Sequence, residues 1–140
     1  MAREDVSIIV EGPPSEASLK AIEVGLDAYN TQFSPTEFEE YVVLLKTPSD
    51  VVVGGIFSQA WAGMLFIKWA WIDEAYRRQG HGLELMARSE EEGRRRGCSA
   101  VYLDTFDFQA RPFYEKQGYK LFGEIDYPAG FKRYFLQKPL

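Results

Sequence analysis

Apolar residues recur along this chain with two different periods, and the alternation between them divides it into strands and helices. Val6–Val10 is a short apolar run that reads as a first strand, broken by Glu11-Gly12-Pro13-Pro14. Ser15 and Ser18 then offer N-caps for a helix over Glu16–Tyr29. Leu19, Ile22, Leu26 and Tyr29 fall at helical spacing there, which predicts one buried face. Asn30–Pro35 reads as a loop, and Thr36–Glu40 as a short helical turn. Tyr41–Lys46 and Val51–Phe57 are β-branched runs on either side of Thr47-Pro48-Ser49-Asp50, the pattern of a hairpin. Met64–Ile72 is a further long strand, and three strands joined so tightly are most economically antiparallel.

After Gly82 the period changes. Leu83, Leu85, Met86 and Ser89 line one helical face, Glu84→Arg88 and Glu91→Arg95 are favourable helical pairs, and Gly97 closes the helix. Ala100–Thr105 is the next strand. Gln109–Lys116 is a short helix ended by Gly118, and Tyr119–Ile125 with Phe131–Lys138 forms a hairpin around Tyr127-Pro128-Ala129-Gly130. These elements predict a mixed α/β (α+β) fold: one mostly antiparallel central sheet of about seven strands, flanked by helices. The strand–helix–strand unit from Met64 to Thr105 makes its two strands, the fourth and fifth, parallel.

A length of 140 residues fits a single domain over 1–140, and 46% hydrophobic with 15% aromatic content supplies a core. The net charge of −5 disfavours general nucleic-acid binding. No apolar stretch is long enough for a membrane span, and one cysteine, Cys98, forms no internal disulfide, so a cytoplasmic home is expected. No Cys/His cluster has metal-ligand spacing, so no metal is expected. A C-terminal strand short of partners would make a homodimer plausible.

Candidate chemistry concentrates in Arg77-Arg78-Gln79-Gly80-His81-Gly82, where a long strand turns into an amphipathic helix. A helix N-terminus presents unpaired N–H groups and partial positive charge, which suit a phosphate. Gly80 and Gly82 remove Cβ atoms from its approach, and Arg77 and Arg78 add charge. A dinucleotide fingerprint needs a third glycine where Leu85 stands, and a P-loop needs Gly-Lys-Ser/Thr where His81 follows Gly80.

The remaining pattern, Arg-x-x-Gly-x-Gly, resembles the coenzyme A pyrophosphate motif of the GNAT superfamily of N-acetyltransferases. Ala110-Arg111-Pro112-Phe113-Tyr114-Glu115-Lys116-Gln117-Gly118-Tyr119 resembles its second signature. The resemblance covers roughly residues 40–138. It implies acetyl-CoA as acyl donor and a primary amine of a small molecule or peptide as acceptor, attacking directly in a ternary complex. It also implies that the fourth and fifth strands splay apart, leaving the strand end at Trp71 and Ile72 to pair with the pantetheine arm. Backbone amides of Gln79, Gly80, His81 and Gly82 would hold the pyrophosphate, flanked by Arg77 and Arg78, with Gln109 and Phe113 also at the cofactor. Tyr114 falls at the general-acid position. Asp107 stands where the family often has asparagine, and an aspartate there would N-cap the helix while placing negative charge near the cofactor.

The acceptor side is less marked. Phe33, Trp69 and Tyr127 are the candidate substrate contacts, with Trp69 and Trp71 on one strand face by the period of two. Asp73, Glu74 and Asp104 are the candidate bases near the cleft. The acidic balance would favour a cationic acceptor such as a polyamine, an aminoglycoside or a lysine side chain. An alternative function is a non-catalytic acyl-CoA-binding sensor or interaction module.

Overall fold

The computed structural model describes residues 3–34 and 37–140. The chain divides into two units, residues 1–36 and 37–140. The first contains α1, Glu16–Asn30, whose N-cap Ser15 accepts a hydrogen bond from the Ser18 amide at 3.1 Å. No residue of α1 is buried within its own unit, so the expected buried face is not formed there. A lone helix has no second layer to bury a face against. Val6–Val10 is exposed irregular chain instead of a strand. Apolar content alone cannot make a strand without a neighbour to complete its ladder.

The second unit carries the sheet. Its strands are β1 (Phe38–Lys46), β2 (Val52–Trp61), β3 (Met64–Ile72), β4 (Ala100–Phe106), β5 (Lys120–Asp126) and β6 (Lys132–Pro139). The spatial order is β1-β2-β3-β4-β6-β5, six strands where about seven were expected. Residues 38–40, expected within a helical turn, begin β1, while Pro35 and Thr36 lie outside the described residues. Only β3 and β4 are parallel; every other pairing is antiparallel. The C-terminal strand β6 lies between β4 and β5, so the ground for expecting a dimer through an unpartnered final strand disappears.

Two further helices accompany the sheet: α2 (His81–Arg95) and the short α3 (Arg111–Glu115). One sheet face is apolar by strict alternation, with Ile56, Leu65, Ile67, Val101, Leu103 and Leu136 all buried. Leu85 and Met86 of α2 join the same cluster. The Tyr41 hydroxyl donates to the Ser89 carbonyl and ties α2 to β1. At the other side of the helix the buried Glu90 accepts from the Tyr119 hydroxyl and pairs with Lys138, each at 2.8 Å. That carboxylate is desolvated yet doubly satisfied, which is the condition for burying a charge.

Candidate active site

β3 is bonded to β4 over only four residues, from Met64↔Ala100 to Ile67↔Leu103. Beyond Ile67 the strands separate. The cause is local: opposite Phe57 and Ser58 of β2, β3 supplies Trp69 and Ile67, so Lys68 is an extra residue in a β-bulge. A bulge sharpens the local twist and bends its strand, here at the point where β4 is lost. β3 keeps β2 as partner through Ile72, and β4 keeps β6 through Phe106. The facing edges of Lys68–Ile72 and Asp104–Phe106 line an open cleft of about 1160 Å³.

One end of the cleft is the N-terminus of α2. Its N-cap, Gly80, has φ +84°, and no side chain bonds the first-turn amides. A left-handed residue at the cap suits glycine, and uncapped amides are the groups an anion would satisfy. A Cβ at Gly82 would stand 3.1 Å from the Phe113 ring, so glycine lets α3 close on the helix start. Arg78 also has positive φ, 62°, an unusual conformation for its residue type. Its side chain and those of Tyr76 and Arg77 line this end. The Arg77 Nε donates to the Ile72 carbonyl at 2.8 Å, so this arginine also anchors the loop to the strand end.

Tyr114 stands in the cleft wall on α3, packed edge-on against Phe113 at 5.2 Å and Tyr119 at 5.9 Å. Burial, reinforced by the Asp104 charge, raises its phenol above the ordinary value. The group therefore stays protonated at neutral pH, the state a proton donor requires.

The cleft brings together Trp69, Trp71, Ile72, Arg77, Arg78, Gly80, His81, Gly82, Gln109, Phe113 and Tyr114. Gln79 is outside the lining; its side chain donates back to the Ala75 carbonyl at 3.3 Å. Gln109 uses its side-chain oxygen to accept from the Phe106 amide at 2.8 Å, fixing the turn after β4. Tyr127 is also outside the lining; its hydroxyl accepts from the Arg133 Nη1 at 3.5 Å. Phe33 belongs to the first unit and packs on Tyr29 at 5.4 Å. Asp107 accepts from the Lys132 amide at 3.0 Å, and α3 has Ala110 as its N-cap with no side-chain bond. The aspartate thus extends the β4–β6 pairing by one residue and does not cap the helix.

Of the candidate bases, Asp73 accepts from the Ala75 amide at 3.0 Å, the role of a turn cap. Asp104 lines the cleft and is paired with Arg133 at 3.0 Å. Sequence reasoning missed Lys68 and Arg133 as cleft residues, because their placement depends on a bulge and on β4–β6 register.

The family model for the acetyltransferase (GNAT) family matches residues 14–119. The chain belongs to the GNAT acetyltransferase family. This member is an acyltransferase enzyme, and the family uses acetyl-CoA. It is 33% identical over 107 residues to an acetyltransferase of Agrobacterium fabrum, covering 76% of this chain and 78% of that one. It is 36% identical over 91 residues to the blasticidin-S acetyltransferase of Streptomyces morookaense, covering 64% and 67%. A crystal structure of an acetyltransferase from Bacillus cereus matches at TM-score 0.85 and 29% identity, covering 96% and 98%. The six-stranded sheet and its single parallel pair are thus the GNAT fold. Among the described residues of this GNAT enzyme, no helix is long and apolar enough to cross a membrane, and no group of His, Cys, Asp and Glu could hold a metal.

Proposed function

We propose that this enzyme transfers the acetyl group of acetyl-CoA to a primary amine of a small molecule or peptide, by direct attack within a ternary complex. The observation that carries this reading is the parting of β3 and β4 beyond Ile67, with an uncapped helix N-terminus at one end and Tyr114 in the wall. The residues present fit coenzyme A. Amides at the start of α2 suit the pyrophosphate, with Arg77 and Arg78 beside them. The unpaired edge of Lys68–Ile72 offers backbone groups to an extended arm carrying amides of its own.

When bound, acetyl-CoA supplies the thioester carbon and the thiol leaving group. Nitrogen–carbon bond formation then accompanies carbon–sulfur cleavage. Tyr114 delivers its hydroxyl proton to the departing sulfur, and the amine proton leaves to solvent, from which the phenol is recharged. Asp104 is engaged by Arg133, so deprotonation of the amine falls to water. The resemblance to an enzyme named for acetylating blasticidin-S supports a small molecule over a peptide as acceptor.

Release of free thiol from acetyl-CoA across a panel of amines tests the reading. Amine-dependent release supports it. Folded protein that binds acetyl-CoA and acetylates no member of a broad panel would count against it.

A further inference from the structure

We propose that the acceptor is a primary amine that carries both an aromatic ring and a carboxylate, with Lys68 and Arg133 as the residues that select it. This rests on the acetyl-transfer reading and adds to it the substrate class. The two mouths of the cleft differ in chemistry. The α2 end suits an anion; the other is lined by Lys68 and Trp69 on β3 and by Asp104, Phe106 and Arg133 on β4 and β6.

Charge comes first. Asp104 is the only carboxylate on the cleft wall among the described residues of this unit, and Arg133 engages it at 3.0 Å. Lys68 has no carboxylate partner among those residues. Two cations against one carboxylate leave this mouth positive, opposite in sign to the whole chain at −5. A polyamine or aminoglycoside would therefore meet like charge, with no unengaged carboxylate among the described residues of this wall to pair with. The acidic surface governs approach, and the wall governs fit.

Donor capacity is the second observation. The Arg133 Nε is buried without a hydrogen-bond partner, and its Nη1 reaches only the Tyr127 hydroxyl at 3.5 Å. The Lys68 ammonium lies 5.3 Å from the Trp69 ring centre. The Lys68 ammonium is therefore the donor available at this mouth, and Arg133 adds positive charge to the same wall.

The third is apolar surface. Trp69 is 65% exposed and Phe108 66% exposed, the latter stacked on Phe106 at 5.2 Å and 6°. Flat rings lining a cleft suit a planar ligand. Two of the lining rings already carry a cation, with Lys68 over Trp69 and Arg133 over Phe106. A second cation gains little on such rings; an aromatic ring with an anionic group satisfies both features.

Calorimetry on protein saturated with coenzyme A tests this with phenylalanine and 4-(aminomethyl)benzoate, their uncharged amides, spermidine and kanamycin. At least one acid should bind about tenfold more tightly than its amide, and Lys68→Met should bring the acid down to the amide's affinity. Arg133→Gln should act in the same direction. Tighter binding of spermidine or kanamycin, equal affinity of acids and amides, or no binding of either acid would overturn the proposal. Thiol release with the same compounds separates the two readings. An acid that binds but is not acetylated, while another amine is, sinks the acceptor class and leaves acetyl transfer standing; no acetylation of any compound counts against acetyl transfer itself. Acetylation of a polycation alone likewise overturns the acceptor class and supports acetyl transfer.

Discussion

The two halves of β3 share one strand and have opposite duties. Met64–Ile67 is paired on both sides, with β2 and β4, and its Leu65 and Ile67 are buried in the core. Lys68–Ile72 keeps only β2, and four of its five residues are exposed. Lys68 apart, the second half is no more polar, since Trp69, Ala70, Trp71 and Ile72 are all apolar. What separates the halves is hydrogen-bond partnership. The first half spends its backbone groups on the fold, while the second leaves an edge and two indole rings for something else. A single inserted residue, Lys68, marks the boundary.

Substitutions that break this division should fall into two classes. The largest effect is expected at the reacting end: Tyr114→Phe should lower kcat between about a hundred and ten-thousandfold, the range of one lost acid–base group. Steady-state thiol release checks it, and unchanged turnover would remove the proton-donor role. Next comes the paired half, where Leu65→Ala should lose about 2–5 kcal/mol of stability through a core cavity. Urea unfolding measures that loss. Trp69→Ala in the open half should change stability by no more than about 0.5 kcal/mol while altering the acceptor KM. Equal stability losses at the two positions would erase the distinction.

A smaller effect is expected at the anion end. Gly80→Ala places a Cβ on a residue at φ +84°, a conformation that costs about 1–2 kcal/mol outside glycine. The cost should appear as up to about tenfold weaker acetyl-CoA binding, read by calorimetry. The pH profile should change least. Because burial moves the Tyr114 phenol above its usual value of about 10, kcat should show no falling limb from this group below about pH 10. A limb below about pH 9 that vanishes in Tyr114→Phe would contradict its protonated role.

Much of this arrangement is legible in the chain itself. Met64–Ile72 emerges with both ends correct from its apolar run, and the α2 start follows from Gly80-His81-Gly82. What stays hidden depends on partners distant in sequence. The Lys68 bulge exists only against the register of β2. Glu90, inside Glu90-Glu91-Glu92, looks like a solvated face until Tyr119 and Lys138 enclose it. Asp107 sits beside its predicted helix yet bonds Lys132, 25 residues on. Val6–Val10 errs the other way, for its apolar run promises a strand that no neighbour completes.

Hydrogen exchange with and without acetyl-CoA tests most directly whether β3 is half scaffold and half binding edge. Amides within Lys68–Ile72 and at the first turn of α2 should slow strongly on binding, with those of Met64–Ile67 and β1 unchanged. Protection spread evenly along β3, or confined to residues outside the cleft, would contradict the account.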